Sequence, residues 1–500
     1  MDNRAAAEGG RHVRIAIIGT GFAGVGAAIR LRQTGYSDFV VFERAEDVGG
    51  VWRDNTYPGC ACDVESHLYA FSFVPNPGWS RTHARQPEIL AYLRDCAARF
   101  GVLPHVAFGH DVEDARYDES SHRWRLRTNR GIWTADIVVV GTGVLNEPAM
   151  PDLPGLETFS GVVFHSSRWD HRTELSGKHV VVIGNGASAV QFVPEIAPLV
   201  AALTIIQRSA AWVLPHRDRA ITDRHMQVCA RLPWVASVWR QWLYLRRELL
   251  VPVIRHALGG WALERVALRY LAQVVRDPDL RTRLTPTFRM GCKRILVSSR
   301  YLQTLPQRHV RVVTGPVREV RGQRVVTTDG VEHAADVLIL ATGFATTDLP
   351  IARRIHGRIG RTLRETWAGR PQAFQGTTVH GFPNLFLLLG PNTYLAHSSV
   401  LLMLERQIDL LLAALRYFEQ HSVTAMEPRA ETQADYVRRV DAASARTAWT
   451  AGGCMSWYLD DTGRNAVLWP GAVRGFRRAT RFRPADYAFT RDSGTGAEPR

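Results

Sequence analysis

Residues 14–24, Arg14-Ile-Ala-Ile-Ile18-Gly19-Thr-Gly21-Phe-Ala-Gly24, decide the fold of this 500-residue chain. The mostly apolar run 14–18, closed by glycine, reads as a buried parallel strand. Gly19 permits a tight turn and Gly21 lets the backbone approach a pyrophosphate. Gly24 lets the helical stretch that follows, residues 25–33, pack close to the strand. The start of that helix then faces the negative charge. A second strand, Phe39-Val-Val-Phe-Glu43, ends in a carboxylate suited to a ribose 2′-hydroxyl, about 20 residues after the loop. A lone G-x-G-x-x-G is a weak signal. Strand, loop, helix, strand and acid in this order are a strong one, for a dinucleotide site.

The unit recurs. His179-Val-Val-Val-Ile183 leads into Gly184-Asn-Gly186-Ala-Ser-Ala189, a helix, and the strand Leu203-Thr-Ile-Ile-Gln207. Here the second strand runs into Arg208 and Ser209, with no acid. An acid accepts a bond from a free 2′-hydroxyl and repels a 2′-phosphate, whereas arginine grips the phosphate with a planar fork. The second site is therefore expected to take NADPH, and FAD is the expected occupant of the first. The plainer reading of Arg208, a surface arginine in an arginine-rich chain, is weakened by its place at the strand end. A further echo links two related halves: Ala135-Asp136 to Thr142-Gly143, and Ala335-Asp336 to Thr342-Gly343, share the form A-D-(apolar run)-T-G. The fold class predicted is α/β, with two doubly wound, Rossmann-like dinucleotide-binding domains and a helical subdomain inserted.

Bulk properties agree with a globular chain of several domains. Five hundred residues suggest about three domains. A hydrophobic content of 46% and a charged content of 22% place the chain among globular proteins with ample core. The net charge of +15 invites a nucleic-acid reading, but the arginines are scattered and form no stripe interleaved with aromatics. No apolar run approaches the ~18 residues of a membrane span. The N-terminal residues soon reach the strand at Arg14, so no secretory signal is expected and the cytoplasm is the default. Six cysteines make no disulfide framework, and a reducing compartment fits them. C-x-C at Cys60 and Cys62 is a poor metal site, and no metal is expected.

Between the two loops lies Phe159-Ser-Gly161-Val-Val-Phe-His165-Ser-Ser-Arg-Trp169-Asp170. The pattern F-x-G-x-x-x-H-x-x-x-W-D in that setting resembles the fingerprint of Baeyer–Villiger monooxygenases, and every fixed position is present. Gly49-Gly50-Val-Trp52 through Tyr57-Pro58-Gly59 to Asp63 matches a second pattern of the family, G-G-x-W-(x)4-Y-P-G-x-x-x-D. Met290-Gly291-Cys292-Lys293-Arg294 resembles its G-x-K-R stretch. The resemblance covers nearly the whole chain and is least specific over residues 217–290.

This resemblance implies an enzyme that uses NADPH and O2 to insert an oxygen beside a ketone carbonyl, through a C4a-peroxyflavin, giving an ester or lactone. Arg294 takes the role of active-site arginine, because a guanidinium is always charged and can hold an anionic peroxide and the adduct that follows. Asp63 approaches the flavin and, if adjacent, orients Arg294; its plainer reading is a loop acid capping a turn. Cofactor contacts are expected from Gly19, Gly21, Gly24, Glu43 and Trp52 for FAD. For NADPH they are expected from Gly184, Gly186, Arg208, Ser209, Lys293 and Trp457. Lys293 is one of only two lysines in an arginine-rich chain, which suggests a specific contact. The late-loop context of Trp457 departs from that of better-known members. By the same resemblance Thr142-Gly143 and Thr342-Gly343 mark the crossovers between domains, and His165 braces a linker rather than acting as a base. Gly390 to Thr393 and His397 are candidates for the flavin pocket.

The expected division is 1–150, first part of the FAD domain; 151–216, first part of the NADPH domain; 217–290, helical insert; 291–344, second part of the NADPH domain; and 345–500, second part of the FAD domain and tail. Trp234, Trp239, Trp242, Tyr244, Trp261 and Tyr270 in the insert are expected to fill its own core, the alternatives being a substrate lid or a membrane contact over 242–258. The tail 491–500 reads as frayed. The rival activities are oxygenation of sulfur or nitrogen, and a flavoprotein oxidase that inserts no oxygen. The ketone and the oligomeric state are not legible.

Overall fold

The strand expected at 14–18 extends over Arg11–Ile18 and lies inside an eight-stranded sheet. The structure is a computed structural model and describes residues 10–252 and 260–491. Arg11–Ile18 is flanked in parallel by Phe39–Glu43 and Gly131–Val140, with Ile15, Ala16, Ile17 and Ile18 facing Phe39 to Phe42 residue by residue. Its apolar run is buried on both faces, which is why it reads as continuous rather than alternating. Leu385–Leu387 joins Gly131–Val140 in parallel, so chain from beyond residue 345 returns to the first sheet. An antiparallel arm, Gly131–Val140 with Arg123–Thr128 and Val112–Asp118, extends the sheet on its other side.

The second sheet is wholly parallel. Its strands lie in the order Val310–Thr314, Ala202–Gln207, His179–Ile183, Val337–Leu340, Val162–His165. The α/β class with two nucleotide-type sheets is thus observed. The fingerprint at 159–170 runs through the edge strand Val162–His165 of this sheet. Phe159 packs in a small cluster with Val181 and Leu338. Gly161 passes so close to the Asp336 carbonyl that a Cβ would stand 2.3 Å from it. Trp169 packs on Phe164 and Phe192 at 5.1 and 5.2 Å, and Asp170 caps its own turn by accepting from Arg172 N and Thr173 Oγ1. His165 is buried, with Nδ1 against Ser167 and its ring 5.9 Å from Phe344.

The two T-G turns lie at the hinge between the sheets, and their strands are tied to each other. Thr342 Oγ1 donates to Ala149 O at 2.7 Å, Ala149 N to Gly343 O at 2.9 Å, and Ala345 N to Glu147 O at 3.0 Å. The outgoing and returning crossovers therefore form a short antiparallel pair.

Two expectations are corrected. The insert comprises helices Asp223–Arg231, Pro233–Glu248, Trp261–Val274 and Pro278–Arg283 among its described residues. It does not bury its tryptophans in a core of its own: Trp234, Trp242 and Trp261 are 64%, 47% and 54% exposed. The residues its helices bury are mostly small or aliphatic, among them Ala236, Leu243, Ala267 and Leu271, and these three indoles are left outward. Secondly, the cysteines are not all free. Cys292 and Cys454 form a disulfide across 162 residues of sequence, while Cys60, Cys62, Cys96 and Cys229 are buried thiols. Sequence spacing carries no signal for a pair this distant. In the segment 390–397, Asn392 donates to the Asn465 and Leu468 carbonyls and His397 meets Glu248 at 3.2 Å. Residues 253–258 of the membrane-contact alternative and 492–500 of the tail lie outside the described residues. No helix among the described residues is long and apolar enough to cross a membrane.

Candidate active site

Each glycine loop has the shape that its function demands. Gly19 has φ +99°, and a Cβ at Gly24 would stand 1.8 Å from the Gly19 carbonyl, so both positions exclude side chains. Gly21 begins the helix Phe22–Gln33 and has nothing nearer than 3.9 Å to an added Cβ. The backbone there is bare on its outer side, as close approach of a pyrophosphate requires. The second loop repeats this. Gly184 has φ +113°, with the Ala341 carbonyl 2.3 Å from an added Cβ, and Gly186 is open at the start of Ala187–Ile196.

Glu43 is buried at its strand end. It accepts from Thr20 N and Oγ1 at 3.0 and 2.6 Å, from Ala45 N at 2.9 Å, and pairs with Arg53 at 3.1 Å. Its lone pairs are thus engaged, and a ribose hydroxyl would replace one partner. Arg53, on a long side chain also paired with Asp54, can yield most readily. Trp52 is buried edge-on to Tyr69, to whose hydroxyl it donates at 3.1 Å.

At the second loop Arg208 is exposed, and Lys293 Nζ donates to Ser209 Oγ at 2.8 Å from a position over the Phe288 ring. Burial, and then the Arg208 charge, pushes the Lys293 ammonium below its ordinary range. Among the described residues neither cation has a carboxylate partner. Two like charges and a hydroxyl without a counter-charge form a cradle that an added phosphate would neutralise. Gln207, where an acid would stand, is buried and spends its amide on Arg283 O, Thr314 Oγ1 and Asn185.

The next residue along, Arg294, turns to a different partner. Its Nε and Nη2 donate to Asp63 at 2.8, 2.7 and 2.6 Å, a bidentate pair with side chains 30% and 26% exposed. Asp63 uses one edge of the guanidinium, and among the described residues Nη1 has no acceptor. Burial alone would raise the Asp63 carboxyl, but Arg294 and Arg247 outweigh it and hold it below the usual carboxylate range. Asp63 raises Arg294 further in turn. The pair is charged on both sides at neutral pH and offers no proton. Asp63 reaches this place because its loop docks on the second domain. Tyr57 Oη donates to Gln191 Oε1 at 2.9 Å, Gln191 Nε2 donates to Ala61 O at 2.9 Å, and a Cβ at Gly59 would strike the Gln191 backbone.

Several neighbours carry no sequence signal that singled them out. Tyr458 is fully buried beside Arg294, and burial pushes its hydroxyl up to about 12. Arg247, from the insert, donates to Asp63 O at 3.1 Å and to Glu65 at 2.9 Å. His83 and His216 meet edge to face at 4.4 Å, in the combined field of Asp218, Asp63 and Arg247. Trp457, by contrast one of the expected NADPH contacts, is half-buried, and its carbonyl accepts from Thr346 at 2.9 Å. The disulfide Cys292–Cys454 stands two residues from Arg294 and three from Trp457, tying the two loops together.

The family model described as flavin-binding monooxygenase-like matches residues 12–352. The chain is 49% identical over 472 residues to a Baeyer–Villiger monooxygenase of Streptomyces coelicolor, covering 94% of this chain and 91% of that protein. It is 46% identical over 475 residues to one of Pseudomonas aeruginosa, covering 94% and 90%. The chain belongs to the Baeyer–Villiger monooxygenases, within the flavin-binding monooxygenase-like family. Solved structures agree. Cyclohexanone monooxygenase from Rhodococcus sp. Phi1 bound to NADP+ superposes on this monooxygenase with a TM-score of 0.87 at 28% identity, over 97% of this chain and all of that one. An oxidized steroid monooxygenase bound to NADP gives 0.83 at 30% identity, over 96% of this chain and all of that one.

Proposed function

We propose that this chain is an FAD-containing, NADPH- and O2-dependent monooxygenase that converts a ketone into an ester or lactone. The observation that carries the reading is the Asp63–Arg294 pair, charged on both sides and presenting an unused guanidinium edge. FAD would be held by Gly19, Gly21, Gly24, Glu43 and Trp52. NADPH would be held by Gly184, Gly186, Arg208, Ser209, Lys293 and Trp457. Together with O2 the two cofactors supply the hydride and the activated oxygen.

The residues of the chain do the rest. Asp63 fixes the plane of Arg294 by binding Nε and Nη2, so that Nη1 points its donors where negative charge develops. Arg294 stays protonated at any working pH and cannot quench an anionic oxygen nucleophile by giving up a proton. That suits attack on a carbonyl and does not suit oxygenation of sulfur or nitrogen, which needs a protonated, electrophilic oxygen donor. Arg247 and Glu65 hold the backbone of Asp63 from the insert side. Arg208, Ser209 and Lys293 read the 2′-phosphate. The same reading divides the chain at 1–150, 151–216, 217–290, 291–344 and 345–500, and assigns it to the cytoplasm.

The test is mass spectrometry of products after NADPH turnover under isotopically heavy O2, with cyclic, aliphatic and aryl ketones and one sulfide. An ester or lactone carrying one heavy oxygen is expected. Heavy oxygen confined to the sulfoxide, or peroxide as the sole product with every ketone, would overturn the reading.

A further inference from the structure

His225 and Cys229 stand four residues apart on the helix Asp223–Arg231, a spacing that places both side chains on one helical face. Cys229 is buried, and its Sγ lies 3.4 Å from His225 Nε2. A third donor comes from another part of the fold. His67 lies in the segment after Asp63 and is 8% exposed, and its Nε2 is buried with no hydrogen-bond partner among the described residues. The two imidazole rings meet edge to face at 5.6 Å. The three ligand atoms all lie within 4.8 Å of one another.

A hydrogen bond between Cys229 and His225 accounts for two of these groups and leaves the third unexplained. A buried imidazole nitrogen without a partner costs about 1–3 kcal/mol, and such groups call for an explanation. A metal ion supplies one. Tetrahedral coordination with Zn–S near 2.3 Å and Zn–N near 2.0–2.1 Å sets S···N at roughly 3.5 Å and N···N at roughly 3.3 Å. The Cys229–His225 pair is already at that spacing, and the His67 donor lies within 4.8 Å of both.

We propose that His67, His225 and Cys229 form a binding site for a divalent d-block cation of the Zn2+ class, joining the helical insert to the segment that follows Asp63. Two imidazoles and a thiolate select such an ion over Ca2+ or Mg2+, which take oxygen ligands. Three protein ligands leave a fourth position for water. The site is braced on the side of His67, where Arg240 from the helix Pro233–Glu248 donates to the carbonyls of His67, Leu68 and Ala70. That guanidinium is a nearby positive charge, and Glu405, 3.8 Å away, offsets it. The thiolate offsets one charge of the ion itself. Bound metal would therefore staple the insert, which also carries Arg247, to the backbone next to Asp63.

The experiment uses the full-length, flavin-loaded protein, stripped with a chelator and then titrated with Zn2+ alone by calorimetry, with metal content measured after dialysis. A parallel titration with Co2+ reads thiolate charge-transfer and tetrahedral d–d absorption, the latter beyond the flavin bands. One equivalent per chain is expected, with a rise in thermal midpoint. Cys229→Ser, which keeps the volume and a hydrogen bond to His225, should weaken binding by at least ~100-fold, since even outer-shell changes cost 10–100-fold. His67→Asn should do the same while leaving the metal-free midpoint close to wild type. No saturable Zn2+ binding to the wild type, or binding undiminished in both variants, would overturn the site.

Discussion

Replacing Asp63 with asparagine isolates what the carboxylate does for Arg294. The carboxamide keeps the shape and one acceptor oxygen, but its amino group meets a guanidinium N–H donor to donor. One edge of the fork is lost, and the bond that remains joins a charge to a neutral group. Charged hydrogen bonds contribute ~1.5–3 kcal/mol each. The side chains are 26% and 30% exposed, so screening holds the total loss to about 2–3 kcal/mol. If that loss reaches the transition state through misplacement of Nη1, oxygenation slows by ~30- to 150-fold. The assay is ester formation at saturating NADPH and ketone, with flavin content and anaerobic flavin reduction measured separately. Flavin content and reduction should stay within about threefold of wild type, because Asp63 touches neither glycine loop, while oxygenation falls. Wild-type ester formation by Asp63→Asn would show that Arg294 is oriented without it. Loss of flavin would make the pair a structural device, and either result would refute the reasoning.

Arg208→Ala should raise KM for NADPH by about 1.5–3 kcal/mol, or ~10- to 150-fold, with little effect on NADH; steady-state kinetics with both nucleotides would check this, and an unchanged preference would place phosphate recognition elsewhere. Cys454→Ser should cost about 2–4 kcal/mol of stability, and a thiol reductant should lower the thermal midpoint of the wild type and leave the variant unmoved. Burial, with the neighbouring His216, pushes His83 down to about 4 from 6.5, so between these values the unfolded chain binds a proton that the folded chain refuses. Stability should therefore fall by up to ~3 kcal/mol as pH drops through that window, while the Asp63 pair, depressed below 3.8, stays ionised throughout; urea unfolding at several pH values should show a slope that His83→Gln flattens by about one proton.

Local chemistry was legible wherever the backbone itself constrains the residue. Gly19, Gly24 and Gly184 stand at positive φ or against a carbonyl, where no side chain fits, and the flanking strands are apolar because both faces are buried. Those constraints act within about 30 residues, the span of one strand–helix–strand unit. The T-G crossovers were legible for the same reason, and their mutual pairing was not. Arg294 and Asp63 were singled out by motif, 231 residues apart, and only the fold shows that they share three hydrogen bonds.

What the sequence did not disclose depends on packing between distant segments. Tyr458 looks like any core aromatic until the loop that carries it is laid beside Arg294, and Arg247 like any of the chain's many arginines until its helix reaches Asp63. The insert was misread for a related reason. Its apolar residues suggest a self-sufficient bundle, whereas its helices bury few residues and leave three indoles largely exposed. An element that rests on its neighbours can present large apolar groups on its outer side at modest cost. That arrangement places Arg247, Glu65 and the Asp63 backbone in one hydrogen-bonded chain. It also follows that substitutions on the outer face of the insert should be tolerated, whereas those at buried positions such as Ala236, Leu243, Ala267 or Leu271 should propagate to the active-site pair.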